Sequence, residues 1–384
     1  MAILGTAAGE TLTGTSSRDI IYGFDGADTL LGGGDNDYLE GGAGADRIDG
    51  GEGSSDWASY WNSPTGVFVS LVTGRGFNGD AAGDTLVSIE NISGSARGDD
   101  LLIGNDERNV LLGGLGDDTV SGGGGNDDLW GDASTVYGST PEDGNDTLKG
   151  GGGVDMLDGC GGDDLLDGGT EADAMHGELG NDTFIVDNVN DRVYEWTGEG
   201  YDTVKTSVTY GLGARSEVEI LQTTNAAGTS AIDLSGNEFA NRIIGNDGAN
   251  NILGGGGRDR LEGGGNNDRL IGGALSDDLY GGTGADHFKY LSLDDSSPRT
   301  GADIIFDFNP LEGDRIDLSA IDADGNAANG DQPFTFYDGV GPLHGIVGEL
   351  RYTGDYLEGD VNGDGTADLS IRMTVVPHAG DFLL

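Results

Sequence analysis

The sequence predicts an all-β solenoid, and three observations predict it. From Gly23 the chain repeats every nine residues, as GFDGADTLL, GGGDNDYLE and GGAGADRID. Glycine opens each unit (Gly23, Gly32, Gly41), and the fourth place holds Gly26, Asp35 and Gly44 in turn. An aspartate stands sixth (Asp28, Asp37, Asp46) and a branched apolar residue eighth (Leu30, Leu39, Ile48). Residues rich in Gly and Asp suit a tight turn, because such a turn needs positive φ. The last three residues of a unit suit one short strand, whose middle side chain points away from its neighbours' side. Stacked units then bury an apolar seam and line their turns with carboxylates.

Taken in order, array one occupies 1–56, with openers at Gly5, Gly14, Gly23, Gly32, Gly41 and Gly50 and inward residues Leu12, Ile21, Leu30, Leu39 and Ile48. Ser55 takes the aspartate's place in the last unit and Asp56 comes one place late, which marks the end of the array. Residues 57–94 break the repeat. Alternation at 67–72 and 84–92 predicts two strands separated by a loop at 74–84, a β excursion packed on the solenoid. Array two occupies 95–186, with inward Leu102, Leu111, Val120, Leu129, Leu148, Leu157, Leu166, Met175 and Phe184 and an insertion at 131–140. A second excursion, 187–235, has strand-like stretches at 202–210 and 218–224. Array three occupies 236–290, with inward Ile243, Ile252, Leu261, Leu270, Leu279 and Phe288. The remainder, 291–384, is of ordinary mixed composition. Short strands at 304–308, 314–322, 334–337 and 348–352 are expected to close the end of the solenoid.

The chain has 18 Lys plus Arg against 69 Asp plus Glu, a formal net charge of −51. That balance argues against nucleic acid as a partner, since phosphate contacts need basic surface. An acidic, glycine-rich chain with few aromatics is disordered by composition alone. A strict repeat argues instead for order that depends on a counter-ion. Residues 1–14 lack the basic and apolar regions of a Sec-type signal, and no run of 18 apolar residues offers a membrane-spanning helix, so no membrane insertion is expected. Cys160 is the sole cysteine, expected as a surface thiol with no internal disulfide.

One buried Leu or Ile per unit cannot offset the ordering of nine backbones, and stacked carboxylates repel. Calcium meets both needs: it takes six to eight oxygens and mixes carboxylates with backbone carbonyls, whereas magnesium holds its water in a tighter octahedron. These residues resemble the RTX family of nonapeptide repeats, G-G-x-G-x-D-x-U-x with U a large apolar residue, in about twenty units. The resemblance implies a parallel β-roll, with successive turns on alternate sides and ions held between turns two repeats apart. It implies carboxylate ligands at Asp28, Asp37 and Asp46, then at Asp100, Asp118, Asp127, Asp146, Asp155, Asp164, Asp173 and Asp182, and then at Asp259, Asp268, Asp277 and Asp286. The turn glycines Gly23, Gly26, Gly32, Gly41, Gly44, Gly113, Gly116, Gly122, Gly125, Gly254 and Gly257 would supply the exposed carbonyls. Asn109, Asn241 and Asn250 replace the aspartate, so nearby sites should be weaker or empty. Asn266 and Leu275 replace the fourth-place glycine and put the turn geometry there in question.

A further metal loop is suggested at 360–368, DVNGDGTAD. Asp360, Asn362, Asp364, Gly365 and Asp368 match the start of an EF-hand loop, but Ile371 stands where the bidentate Glu belongs. Calcium and a plain polar hairpin both remain open there. The C-terminal segment resembles the domain that follows the repeats in serralysin-type proteases. Its last residues, Asp381, Phe382, Leu383 and Leu384, look like the uncleaved type I secretion signal of that group.

No H-E-x-x-H helix and no G-x-S-x-G elbow is present. Repeats, excursions and cap leave no segment of catalytic-domain size, so the expectation is a non-enzymatic protein, and the resemblance implies that it is secreted and binds calcium. Its partners would be calcium ions and the type I secretion machinery, and it would fold on meeting extracellular Ca2+. A second reading is a surface-layer, matrix or adhesion component that contacts a cell surface or polysaccharide through Trp57, Tyr60, Trp61, Tyr194, Trp196 and Tyr201. An enzyme with an unrecognised site, or the carrier part of one, stands third.

Overall fold

The structure is a computed structural model that describes residues 1–132, 143–326, 328 and 330–384. Of the insertion expected at 131–140, residues 133–140 lie outside the described residues. Among the described residues, every regular element except the 3-10 turns Gly79–Ala81 and Ala379–Asp381 is a strand. The chain divides into two compact units, Met1–Asp202 and Thr203–Leu384.

Each unit is a parallel β-roll. A nine-residue unit turns the chain back on itself, so successive strands join opposite sheets and in-register partners lie eighteen residues apart. In the first unit, one sheet runs Ala2–Leu4, Ile20–Tyr22, Tyr38–Glu40, with Ala2 opposite Ile20 and Ile20 opposite Tyr38. The other runs Thr11–Thr13, Thr29–Gly34, Arg47–Glu52, with Thr11 opposite Thr29 and Thr29 opposite Arg47. The eighth-place residues meet between the sheets. Ile21, Leu30, Leu39, Ile48, Leu102, Leu111, Val120, Leu129, Leu148, Leu157, Leu166, Met175 and Phe184 are all fully buried. Ile243, Ile252, Leu261, Leu270, Leu279 and Phe288 do the same in the second unit.

The stretch 57–94 does not lie on the outside of the roll; it supplies rungs of it. Trp57–Ser59 and Asn91–Ser93 continue the first sheet between Tyr38–Glu40 and Val110–Leu112. In the second sheet, Thr85–Val87 pairs in parallel with Arg47–Glu52. Arg75–Phe77, inside the stretch expected to be a loop, then runs antiparallel between Thr85–Val87 and Phe68–Ser70. Phe68–Ser70 hands the sheet on to Leu101–Ile103. Tyr60 is therefore core, 1% exposed, and not a contact aromatic; its hydroxyl donates to Asp84 Oδ2 at 3.1 Å. Trp196 and Tyr201 are exposed. Cys160 is buried rather than a surface thiol, with Sγ 3.4 Å from Asp158 Oδ1.

In the second unit, Thr203–Thr206 and Ile220–Thr223 pair in parallel and lead into Arg242–Ile244. The repeat rungs continue through Asp278–Thr283 and Asp303–Ile305. Leu369–Met373 adds in parallel, and Tyr356–Asp360 and Glu349–Thr353 follow antiparallel. The opposite sheet ends with Phe382–Leu383 against Arg315–Asp317, which places Phe382 in the core.

Candidate metal centres

The sixth-place aspartates form ladders along the turns. Each offers Oδ1 to the backbone N–H of the residue two repeats earlier. Asp37 takes Asp19 N–H, Asp46 takes Asp28 N–H and Asp155 takes Asp127 N–H, each at 2.7 Å. In the second unit Asp277 takes Asp259 N–H at 2.8 Å. The ladder bridges the interruption after Gly131, since Asp118 N–H reaches Asp146 Oδ1 at 2.7 Å. Asp56, one place late in the sequence, is in its place in space: Asp37 N–H donates to its Oδ1 at 2.7 Å.

The other oxygen sorts the turns into two kinds. In the first kind Oδ2 is buried and has no hydrogen-bond partner among the described residues. This holds for Asp28, Asp37, Asp46, Asp56, Asp118, Asp127, Asp146, Asp155, Asp164, Asp173 and Asp182, and for Asp259, Asp268, Asp277 and Asp286. In nearly all of these turns the second-place residue has positive φ: Gly33 at 107°, Gly123 at 105° and Gly255 at 107°, but also Phe24 at 74°, Cys160 at 75° and Glu178 at 64°. That conformation turns the second N–H away from the carboxylate.

In the second kind the second place holds a polar residue without positive φ, and its N–H closes onto the sixth-place side chain, or onto the seventh in the ten-residue unit that Gly94 opens. Thr15 N–H donates to Asp19 Oδ2 at 2.6 Å, Ser95 N–H to Asp100 Oδ2 at 2.6 Å, and Asn105 N–H to Asn109 Oδ1 at 2.8 Å. Asn237 and Asn246 do the same to Asn241 and Asn250 at 3.0 Å. The three asparagines complete the closure by donating Nδ2–H to the carbonyls of Glu90, Val218 and Ile232. Asp100 departs from its sequence expectation. Val67 N–H at 2.6 Å occupies its Oδ1 and Ser95 N–H its Oδ2, so no carboxylate oxygen is left over.

The unpartnered oxygens face backbone carbonyls. A Cβ placed on Gly23 would lie 2.7 Å from Asp28 Oδ2 and 2.5 Å from Gly41 O. The opener glycine thus leaves a cradle shared by a carboxylate and a carbonyl from two repeats on, and Gly32, Gly113 and Gly254 repeat the arrangement. The fourth place is equally tight: side chains on Gly44, Gly153 or Gly162 would fall on the carbonyls of Gly26, Gly125 and Gly144. At Asp35, Asn266 and Leu275, which replace the fourth-place glycine, the turn persists with positive φ, at 69°, 64° and 85°, a strained conformation for Leu.

Burial pushes up eight of these carboxyls in particular, and neighbouring carboxylates add to the effect. Asp46 and Asp286 rise to about 6, Asp127 and Asp268 to about 7, Asp146 and Asp277 to about 8, and Asp118 and Asp164 to about 9. A buried carboxylate oxygen without a donor is costly, and a column of them beside carbonyls is the donor set of a hard divalent cation.

The loop 360–368 lacks that mark. It joins the antiparallel strands Tyr356–Asp360 and Leu369–Met373. Asp360 accepts from Gly363 N–H at 2.6 Å and Gly365 N–H at 2.8 Å, and Asp368 accepts from Val361 N–H at 2.8 Å. Asn362 and Asp364 accept from Asp364 N–H and Thr366 N–H, at 2.9 and 2.8 Å. The geometry supports the polar hairpin.

The two kinds of turn make a direct prediction. Asp127→Asn is expected to lower the number of calcium ions bound at saturation, and Asp100→Asn to leave it unchanged. Equilibrium dialysis on the whole chain reads both. Equal loss in the two variants would break the distinction.

The RTX calcium-binding nonapeptide repeat family matches residues 4–39, 22–55, 96–133, 142–166 and 158–193. The Peptidase M10 serralysin C-terminal family matches residues 196–374, which takes in the third array as well as most of the segment after it. No curated protein matches the chain. The matched regions are a calcium-binding repeat and a C-terminal domain, not a catalytic domain. The chain accordingly carries RTX calcium-binding nonapeptide repeats followed by a serralysin-like C-terminal domain.

Proposed function

We propose that this protein is secreted by a type I exporter and folds outside the cell by binding calcium, with no catalytic role of its own. The observation that carries the reading is the column of buried Oδ2 atoms without a hydrogen-bond partner among the described residues, nearly all of them in turns whose second-place residue has positive φ. On this reading the ligands are the sixth-place aspartates of those turns, Asp56 included, together with the turn carbonyls. Asp28 and Asp46 hold one side of the first roll, Asp37 and Asp56 the other. Calcium supplies positive charge and oxygen coordination in the cradles. The aspartates then cease to repel, and each coil is tied to the coil two repeats away. Because the cradle needs stacked coils, binding energy becomes folding energy. A chain of charge −51 stays extended where calcium is scarce, as export requires, and folds where it is abundant.

Expressed with a type I exporter, the full chain is expected in the medium, and there it should resist protease only with calcium present. Retention in the cells would remove the export part of the reading. Equal resistance in EGTA would remove the folding part.

A second reading, a matrix component that holds a polysaccharide, is favoured by one feature. Exposed Phe24 lies beside Tyr22, with ring centroids 6.3 Å apart and planes at 22°, in a groove completed by Asp25, Glu40, Asn62 and Asp80. Flat apolar rings ringed by carboxylate and amide acceptors suit a sugar. A glycan array probed with the calcium-loaded chain and with Phe24→Ala tests it; binding lost in the variant supports this reading, and no binding by either chain ends it.

A further inference from the structure

We infer that Asp182, Glu195 and Asp202 form a calcium site tighter than those of the repeat turns, placed where the second array ends. Gly177 opens the last unit of that array and Asp182 stands sixth in it. The turn is of the first kind, with Glu178 at φ 64° and Gly180 at 147°. Residue 195 lies two repeats beyond Gly177, in the register where Gly41 answers Gly23. There a glycine would offer only backbone. Here a glutamate turns its side chain inward, and Glu195 Oε1 accepts Gly177 N–H at 2.9 Å. Asp202 Oδ1 accepts Asp182 N–H at 2.8 Å and so takes the next position in the ladder.

The three carboxylates each place one oxygen within 4.8 Å of the others. A side chain on Gly177 would collide with both Asp182 Oδ2 and Glu195 Oε1, so these two oxygens share one cradle. None of the three residues is more than 2% exposed. Asp182, at 1%, aims its Oδ2 into the cluster and has no hydrogen-bond donor among the described residues. Three buried carboxylates held by backbone N–H groups demand neutralisation. An all-carboxylate set selects a hard cation, and burial leaves little room for the waters that magnesium retains. Calcium affinity rises with ligand charge and rigidity. This site has three carboxylates, where a repeat turn brings aspartate oxygens and neutral carbonyls. Glu195 falls between the two family matches, which end at 193 and begin at 196, so neither repeat nor C-terminal pattern accounts for it.

The site rests on the reading that the repeats bind calcium, and its test keeps the two apart. The full chain, stripped with chelator, is titrated with calcium against a competing chelator, and the ions in the tightest class are counted. The wild-type chain is expected to bind one ion more tightly than the rest. Glu195→Gln should weaken that ion about tenfold or more yet reach the wild-type β signal at saturating calcium. Asp173→Asn, in the neighbouring ladder, should keep it. If Glu195→Gln does not regain the β signal, Asp202→Asn is counted by the same criterion. A tight ion retained without the carboxylate, or no tighter class in the wild-type chain, overturns this site and leaves the repeat reading standing. A wild-type chain that binds no calcium overturns both.

Discussion

Stripped of calcium at about pH 8, the chain is expected to lose its β-sheet circular-dichroism signal, and acid at about pH 4 is expected to restore much of it. The sign follows from burial. Asp118 and Asp164 are pushed up to about 9 and Asp146 and Asp277 to about 8, while Asp46 and Asp286 reach about 6. An unfolded aspartate titrates near 3.9. The folded, ion-free chain therefore binds more protons than the unfolded chain between those limits, and its stability falls as pH rises through them. Below the unfolded value the stabilising contribution is fully present; above about 9 it is gone. Protons at low pH and calcium at neutral pH do the same work on Oδ2, which is to remove unpaired negative charge from a buried site. Circular dichroism in EGTA from pH 4 to pH 9 checks this. A signal that is flat across that range, or that falls on acidification, would contradict the assignment of the buried carboxylates as the destabilising groups.

Gly162→Ala is expected to be among the most damaging single substitutions in the first unit. Gly162 has φ 113°, and a Cβ there would fall on the carbonyl oxygen of Gly144 in the coil two repeats earlier. The left-handed conformation costs about 1–2 kcal/mol for an L-residue, and forcing the coils apart adds about 1–3 kcal/mol. For a unit of this size the sum corresponds to a fall of about 5–15 °C in the calcium-loaded melting temperature. Gly198→Ala is the matched control. It has φ 89°, but its Cβ would meet nothing within 4 Å, so only the conformational cost applies. Equal falls in the two variants would show that close coil stacking is not what limits the fourth place.

The periodic part of this fold is legible because each unit repeats the same physical problem. Leu30, Leu39 and Ile48 recur at the eighth place and are all fully buried. Asp37 and Asp46 recur at the sixth, and each accepts a backbone N–H two repeats earlier. The division of the turns was also present in the sequence at the second place, where Thr15, Ser95, Asn105, Asn237 and Asn246 stand in the closed turns and glycine in most of the others. The sixth place reveals it only where asparagine stands, at Asn109, Asn241 and Asn250; at Asp19 and Asp100 the aspartate reads like that of any other turn, because the closure depends on the direction of the second residue's N–H. That is why Asp100 reads as a ligand in the sequence and as a closed turn in the structure. Asp56 escapes because one extra residue shifts the count without shifting the rung. The antiparallel Arg75–Phe77 is not legible, since its place depends on which distant strands it separates. Glu195 is hidden for a related reason: only its distance from Gly177 across a full coil shows where its side chain lands.

The claim on which all of this rests is that ion binding and folding are one event. At neutral pH, a calcium titration of the chelator-stripped full chain, with bound ions and β-sheet signal followed in the same samples, tests it most directly. The two curves are predicted to rise together and to reverse together in EGTA. A full β signal reached before calcium is bound, or retained after calcium is removed, would contradict it.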